Sequence, residues 1–228
     1  MKRLLQDKYI RWYVCLEAVL FAGVLAMQIL DQRAAEDFFV WLCITVNAVF
    51  LLRSCQWTGR FIMLLTFLAD TLLVLLDVQY LWGVLLFCLV QALYAWYLDT
   101  RGYRMLFLRI LVFMMPALVL LLFPGYRIAE TKLVIPAVFS FSQLLVNTVC
   151  SLRMGKETGV VRDQILAAGM ILFLGCDVCV GLRNLPVPHA VLNAAYFLNW
   201  VFYVPSQVLI TVHFLTFPVS GKNTHYKK

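Results

Sequence analysis

Eight stretches of this chain run for sixteen residues or more with no more than two charged residues apiece, and nothing else in the sequence constrains its fold as strongly. They cover roughly 12–30, 35–52, 61–76, 83–98, 105–123, 132–152, 165–181 and 189–215. An unbroken apolar run of about 20 residues is the length a helix needs to cross the hydrocarbon core of a bilayer. In lipid every backbone polar group must be satisfied within the chain, which leaves helices or a closed barrel. A barrel strand alternates apolar with polar residues, and these runs do not alternate. The composition agrees: 63% of residues are hydrophobic, 14% are charged and mean hydropathy is +0.86, whereas soluble domains carry about a quarter charged residues. The expected fold is one all-α integral membrane domain over 1–228, an eight-transmembrane-helix bundle.

Breaks fall where turns are expected, at Asp31-Gln32-Arg33, Trp57-Thr58-Gly59, Pro124-Gly125, Met154-Gly155 and Pro186-Val187-Pro188. Lys and Arg then test the eight-span count, because cytoplasmic loops are enriched in both. With the N-terminus inside, fourteen fall on inner segments and only four, Arg33, Arg127, Lys132 and Arg183, on outer ones. Both termini are thereby expected to be cytoplasmic, in a multi-pass protein of the cell membrane. The net charge of +7 reads as topology and attraction to anionic lipid, and nucleic acid is not an expected partner. Glu17 interrupts the first run, which reads as a retained helix rather than a cleaved signal. Phe67-Leu68-Ala69-Asp70 in the third span is echoed by Phe173-Leu174-Gly175-Cys176-Asp177 in the seventh, the trace that two parallel four-helix repeats would leave.

Charged residues inside lipid cost about 2.5–3.5 kcal/mol each on insertion scales, so they face the bundle interior, pair, or work. Asp70 lies about 14 Å into its span and Asp177 about 18 Å into its own, at 1.5 Å per residue. Asp77 sits at the outer end of the third span, where solvation of a helix end explains it as well as a role in a site. Glu17 and Arg109 lie near inner ends, and snorkelling or a mutual ion pair accounts for them. Uncharged polar residues also recur at helical spacing: Asn199, Tyr203 and Gln207 on the eighth span, and Gly83, Phe87 and Gln91 on the fourth, with Tyr94 beyond. Gln143 and Asn147 read as interhelical hydrogen-bonding residues.

Other chemistry is sparsely represented. His189, His213 and His225 are scattered and define neither a zinc site nor a Ser-His-Asp set, and HExxH, Walker A and GxSxG motifs are missing. Cys176 and Cys179 form a CxxC inside an apolar helix, where thiols behave as small hydrophobes. No metal and no cofactor is expected.

The aspartate-bearing segments resemble the YhhN-like family of eight-helix membrane proteins, whose characterised members are lysoplasmalogenases. The resemblance rests on Phe67-Leu68-Ala69-Asp70, on Gly83-x-x-x-Phe87 followed by Gln91 and Tyr94, on Ala168-Gly169 through Phe173 to Cys176-Asp177, and on Tyr203-x-x-x-Gln207. Ala69, Cys176 and Gln91 stand where the family usually has Gly, Ser and His. The resemblance implies a membrane-embedded hydrolase that cleaves the vinyl ether of a lysophospholipid to a fatty aldehyde and a glycerophospholipid. In that reading Asp70 and Asp177 are the catalytic pair, and Gln91, Tyr94, Tyr203 and Gln207 bind substrate or water. The alternative is a non-enzymatic lipid- or ion-binding protein, or a proton-coupled transporter, using the same aspartates. Membrane lipids are the expected surroundings, and the oligomeric state is left open.

Overall fold

A computed structural model describes residues 8–54, 56–76, 78–98, 103–122 and 131–216, the side chains of 103, 115–122, 131 and 132 excepted. Among these residues there is no strand. Eight helices follow one another: α1 (Lys8–Ile29), α2 (Arg33–Leu51), α3 (Trp57–Asp70), α4 (Tyr80–Tyr97), α5 (Tyr103–Leu122), α6 (Thr131–Thr158), α7 (Val161–Arg183) and α8 (His189–Leu215). Helix α3 continues into one wide π-helical turn, π1 (Thr71–Leu75). Seven of the helices, α1 to α4 (α3 counted with π1) and α6 to α8, are long and apolar enough to cross a membrane. Helix α5 is twenty residues long.

Most helices run a turn beyond the apolar spans seen in sequence, because backbone hydrogen bonding continues through polar residues once they leave lipid. The last turns of α6 carry the exposed Arg153–Glu157 pair, Nε to Oε1 2.6 Å, spaced i,i+4. Turns close where the backbone needs a left-handed residue: Asp31 at φ 54 between α1 and α2, and Gly159 at φ 62 between α6 and α7. Helices α6 and α8 run through Pro136 and Pro205 without a break.

Packing follows an ordered circuit. α2 touches α3, α3 touches α4, α4 touches α6, α6 touches α7, α7 touches α8, and α8 returns to α2. Helix α1 rests on α2 and α8 outside this circuit, and α5 rests on α6. The step from α4 to α6 therefore matches the step from α8 to α2, four helices later. Hydrogen bonds tie the end at which α1 begins, here called the near end: Tyr9 to the Phe50 carbonyl at 3.3 Å, and Ser54 to the Phe214 carbonyl at 3.0 Å. At the opposite, far end the Tyr196 ring faces Arg183 at 4.0 Å and Arg33 at 5.7 Å.

Polarity is distributed inside out relative to a water-soluble protein. Large apolar side chains such as Trp12, Val19, Phe107 and Ile135 are exposed, while Asn47, Gln91, Ser142, Asn147, Asn199, Gln207 and Thr211 are buried. An apolar solvent favours this arrangement, since lipid gains nothing by expelling Leu or Phe but cannot hydrogen-bond an amide. Close helix approach depends on small residues. A Cβ on Gly59 of α3 would stand 2.5 Å from Cγ of the buried Phe214 ring on α8. Gly59→Ala is expected to destabilise the fold by about 1–3 kcal/mol through overpacking. Thermal unfolding in detergent checks this, with partial recovery expected on adding Phe214→Leu.

Candidate functional site

Asp70 is the last residue of α3, buried to 2% exposure, and its Oδ2 accepts a hydrogen bond from the Tyr203 hydroxyl of α8. Immediately after it the helix widens: Leu76 N–H bonds the Thr71 carbonyl, five residues back, at 3.0 Å. A π turn inserts a residue into the helical register and is enriched at functional positions. Thr71 anchors this one. Its hydroxyl donates to the Phe67 carbonyl at 2.7 Å and accepts the Trp41 indole N–H of α2 at 3.0 Å. Gly83 of α4 gives the wide turn its space, because a Cβ there would collide with the Leu73 side chain.

Asp177 lies on α7, six residues before its end at Arg183, and is partly exposed. Both carboxyl groups lie within electrostatic reach of the Tyr203 hydroxyl and the Cys176 thiol. Cys176 in turn donates to Asn199 Oδ1 at 3.4 Å, and Asn199 and Tyr203 are one turn apart on α8. The Tyr203 ring is held between Phe173 and Trp200, each with centroids 6.0 Å away. Asp70 lies about 20 Å along α3 from Trp57, and Asp177 about 24 Å along α7 from Val161, both counted from the near end at 1.5 Å per residue. The pair thus occupies the far half of the bundle.

The other candidates distribute unevenly. Gln207 lies one turn from Tyr203 on α8, buried, with Nε2 donating to Ser206 Oγ at 3.4 Å. Gln91 belongs to a different network: its Oε1 accepts from Asn147 Nδ2 at 2.9 Å, and Asn147 Oδ1 accepts from Arg109 at 2.7 Å. Arg109 also donates to Gln143 Oε1 at 2.8 Å. Tyr94 is buried in the apolar core with Val90 and Met63. Of the two expectations for Glu17 and Arg109, neither snorkelling nor a mutual ion pair is seen: both side chains are buried, Arg109 bonds these amides, and α1 and α5 lie against different helices. Asp77 lies outside the described residues. Cys176 and Cys179 are both buried free thiols.

Two groupings were not visible in the sequence. At the near end His213 of α8 is fully buried, with Nε2 2.7 Å from the Tyr97 hydroxyl and Nδ1 2.9 Å from the Arg162 carbonyl. A carbonyl only accepts, so Nδ1 carries the proton and Nε2 receives the Tyr97 hydrogen. Asp163 sits 4.0 Å from Nδ1 and is held by Thr158 at 2.9 Å and Arg162 at 3.2 Å. Tyr97 also lines a hollow of about 260 Å³ with Gln56, Trp57, Thr58 and Trp96, far from the aspartates. The second grouping surrounds Glu17. Residues from α4, α7 and α8, or from α1, α2 and α8, share no sequence spacing, so only packing brings them together.

No protein-family model, curated protein or solved structure matches this chain.

Removing the phenol hydroxyl with Tyr203→Phe leaves the buried Asp70 carboxyl without its donor, an expected loss of about 1–3 kcal/mol in stability. Once Asp70→Asn is in place, Tyr203→Phe should cost a different amount than it does alone. A double-mutant cycle by thermal unfolding in micelles measures that coupling, and strict additivity would mean the two groups do not interact.

Proposed function

We propose that the chain is an eight-span, multi-pass hydrolase of the cell membrane with both termini cytoplasmic, cleaving the vinyl ether of lysoplasmalogens as the resemblance to the YhhN-like family implies. The observation that carries the reading is the buried Asp70–Tyr203 contact at a π turn, with Asp177 close enough to act electrostatically on the same hydroxyl. The fourteen-to-four distribution of Lys and Arg supports the orientation. The matching passage from α4 to α6 and from α8 to α2 supports two parallel four-helix repeats.

In this reading Asp177 is the general acid. It delivers a proton to the β-carbon of the vinyl ether, and the electron pair of the double bond forms the new C–H bond, leaving an oxocarbenium ion. Asp70, positioned by Tyr203, faces that cation and takes a proton from the water that adds to it. The resulting hemiacetal collapses, with its hydroxyl proton transferred to the departing glycerol oxygen, to a fatty aldehyde and a glycerophospholipid. Gln207, one turn away, orients water or the ether oxygen, while Gln91 and Tyr94 shape the α4 wall. The partly exposed Asp177, beside the outward-facing Val178 and Val180, suits a lysolipid that enters sideways from the bilayer. Far-half placement suits an ether just below the headgroup of an outer-leaflet lipid. A transporter built on half-helices would call for breaks at Pro116, Pro136 and Pro205, where α5, α6 and α8 are continuous.

Purified protein incubated with vinyl-ether and ester lysolipids should release aldehyde only from the former. Asp70→Asn and Asp177→Asn should each lower that release by about 10²–10⁴-fold, the range for loss of a general acid or base. Full activity in either variant removes that residue from the chemistry, and no aldehyde from any lysolipid overturns the hydrolase reading.

A further inference from the structure

Glu17 sits in a second polar layer, closer to the near end than Asp70 and Tyr203, with Gln207 of α8 at the boundary between the two. Tyr13 and Glu17 are one turn apart on α1, Cys43 and Asn47 are one turn apart on α2, and Thr211 lies on α8. The Tyr13 hydroxyl donates to Asn47 Oδ1 and stands beside the Thr211 hydroxyl, while the Glu17 carboxyl lies against the Cys43 thiol. Helix α1 starts at the near end, where α2 and α8 finish. Counting from those ends at 1.5 Å per residue puts Asn47, Thr211 and Tyr13 about 6–8 Å deep, and Cys43, Gln207 and Glu17 about 12–14 Å deep. Five residues from three helices thus occupy adjoining turns, with Gln207 at the same depth on α8.

The layer is incompletely satisfied. Glu17 is 2% exposed, Gln207 1%, and Asn47 and Thr211 are fully buried. Both carboxyl oxygens of Glu17, Thr211 Oγ1, Gln207 Oε1 and Asn47 Nδ2 make no hydrogen bond. Buried polar atoms are normally paired, and a buried charge is paired or coordinates a metal. Among the described residues no Lys, Arg or His forms an ion pair with Glu17. Four of the five unpaired atoms are oxygens, one ionisable carboxyl among two neutral groups.

We infer that Glu17, Thr211 and Gln207 form a binding site for one alkali cation between α1, α2 and α8. A single carboxylate balances a single positive charge. Its partners are hard oxygen donors, which suit an alkali ion rather than a soft transition metal. Among the described residues no three His, Cys, Asp or Glu side chains gather as transition-metal ligands. Asn47 holds Tyr13 and leaves its amide N–H available to a carboxylate oxygen.

Binding of radioactive sodium to the full-length protein in detergent tests the site directly, alongside thermal unfolding in sodium, lithium, potassium and choline chlorides at equal ionic strength. Saturable sodium binding is expected, with a higher unfolding temperature in at least one alkali chloride than in choline chloride. Glu17→Gln should abolish both effects, and Thr211→Val should weaken affinity about tenfold. Should Glu17→Gln fail to fold, Glu17→Asp replaces it, with weakened binding expected. Equal unfolding temperatures in all four salts with no bound isotope overturn the proposal. So does an unchanged ion response in the Glu17 variant. An infrared band of a protonated carboxyl that persists in saturating sodium and disappears in Glu17→Gln also overturns it, by showing a proton as the occupant. None of these readouts depends on aldehyde release.

Discussion

Lipid offers no hydrogen bonds, and the arrangement of this protein depends on that single property. Each amide, hydroxyl and carboxyl carried into the apolar spans must meet a partner from another helix or turn inward. The polar contacts of the bundle therefore concentrate inside it: Tyr203 on Asp70, Asn147 between Gln91 and Arg109, Tyr13 on Asn47. The outer surface is left to Leu, Val, Phe and Trp, for which acyl chains are an adequate solvent. The hydrophobic effect, which organises a soluble core, has little to sort here; close packing around Gly59 and Gly83, and polar pairing, do that work instead.

A consequence is a layered interior. Asn47 on α2 meets Tyr13 of α1, and Asn147 on α6 meets Arg109 of α5, so the second helix of each half is pinned to the first by an asparagine. In both cases a further contact comes from the last helix of the other half, Thr211 of α8 beside Tyr13 and Gln91 of α4 on Asn147. The two halves are tied by chemically similar but unequal polar groups. One side ends in a buried arginine among amides and the other in a buried glutamate among hydroxyl, thiol and amide groups. Asp70 and Asp177 lie deeper, in α3 and α7, which occupy equivalent places in the circuit. The π turn is found on α3, directly after Asp70, so the two aspartates sit in different backbone environments.

Much of the candidate site could be read from spacing alone. Asp70 and Asp177 stand out because charge is rare in such spans, and Tyr203 and Gln207 because they share an α8 stripe with Asn199. Spacing is silent at residues whose contacts come from a partner on a remote helix. Gln91 lies on the right kind of stripe, and its amide oxygen accepts from Asn147 of α6. Glu17 and Arg109 have opposite charge and comparable depth, which makes a pair plausible on paper. They rest on different parts of the circuit, Arg109 beside Gln143 and Asn147 and Glu17 beside Cys43. His213 has no motif around it, yet its ring bridges Tyr97 and the Arg162 carbonyl.

The sequence by itself determined the number and course of the apolar segments, their breaks and the asymmetry of basic charge, because solvation by lipid acts on each residue according to its own chemistry and its neighbours along the chain. Only the tertiary structure decided which helices touch, that α3 widens after Asp70, and which polar atoms are left without a partner. Those outcomes depend on side chains more than a hundred residues apart meeting across helix surfaces, such as Tyr203 on Asp70, and no local pattern of residues encodes that meeting.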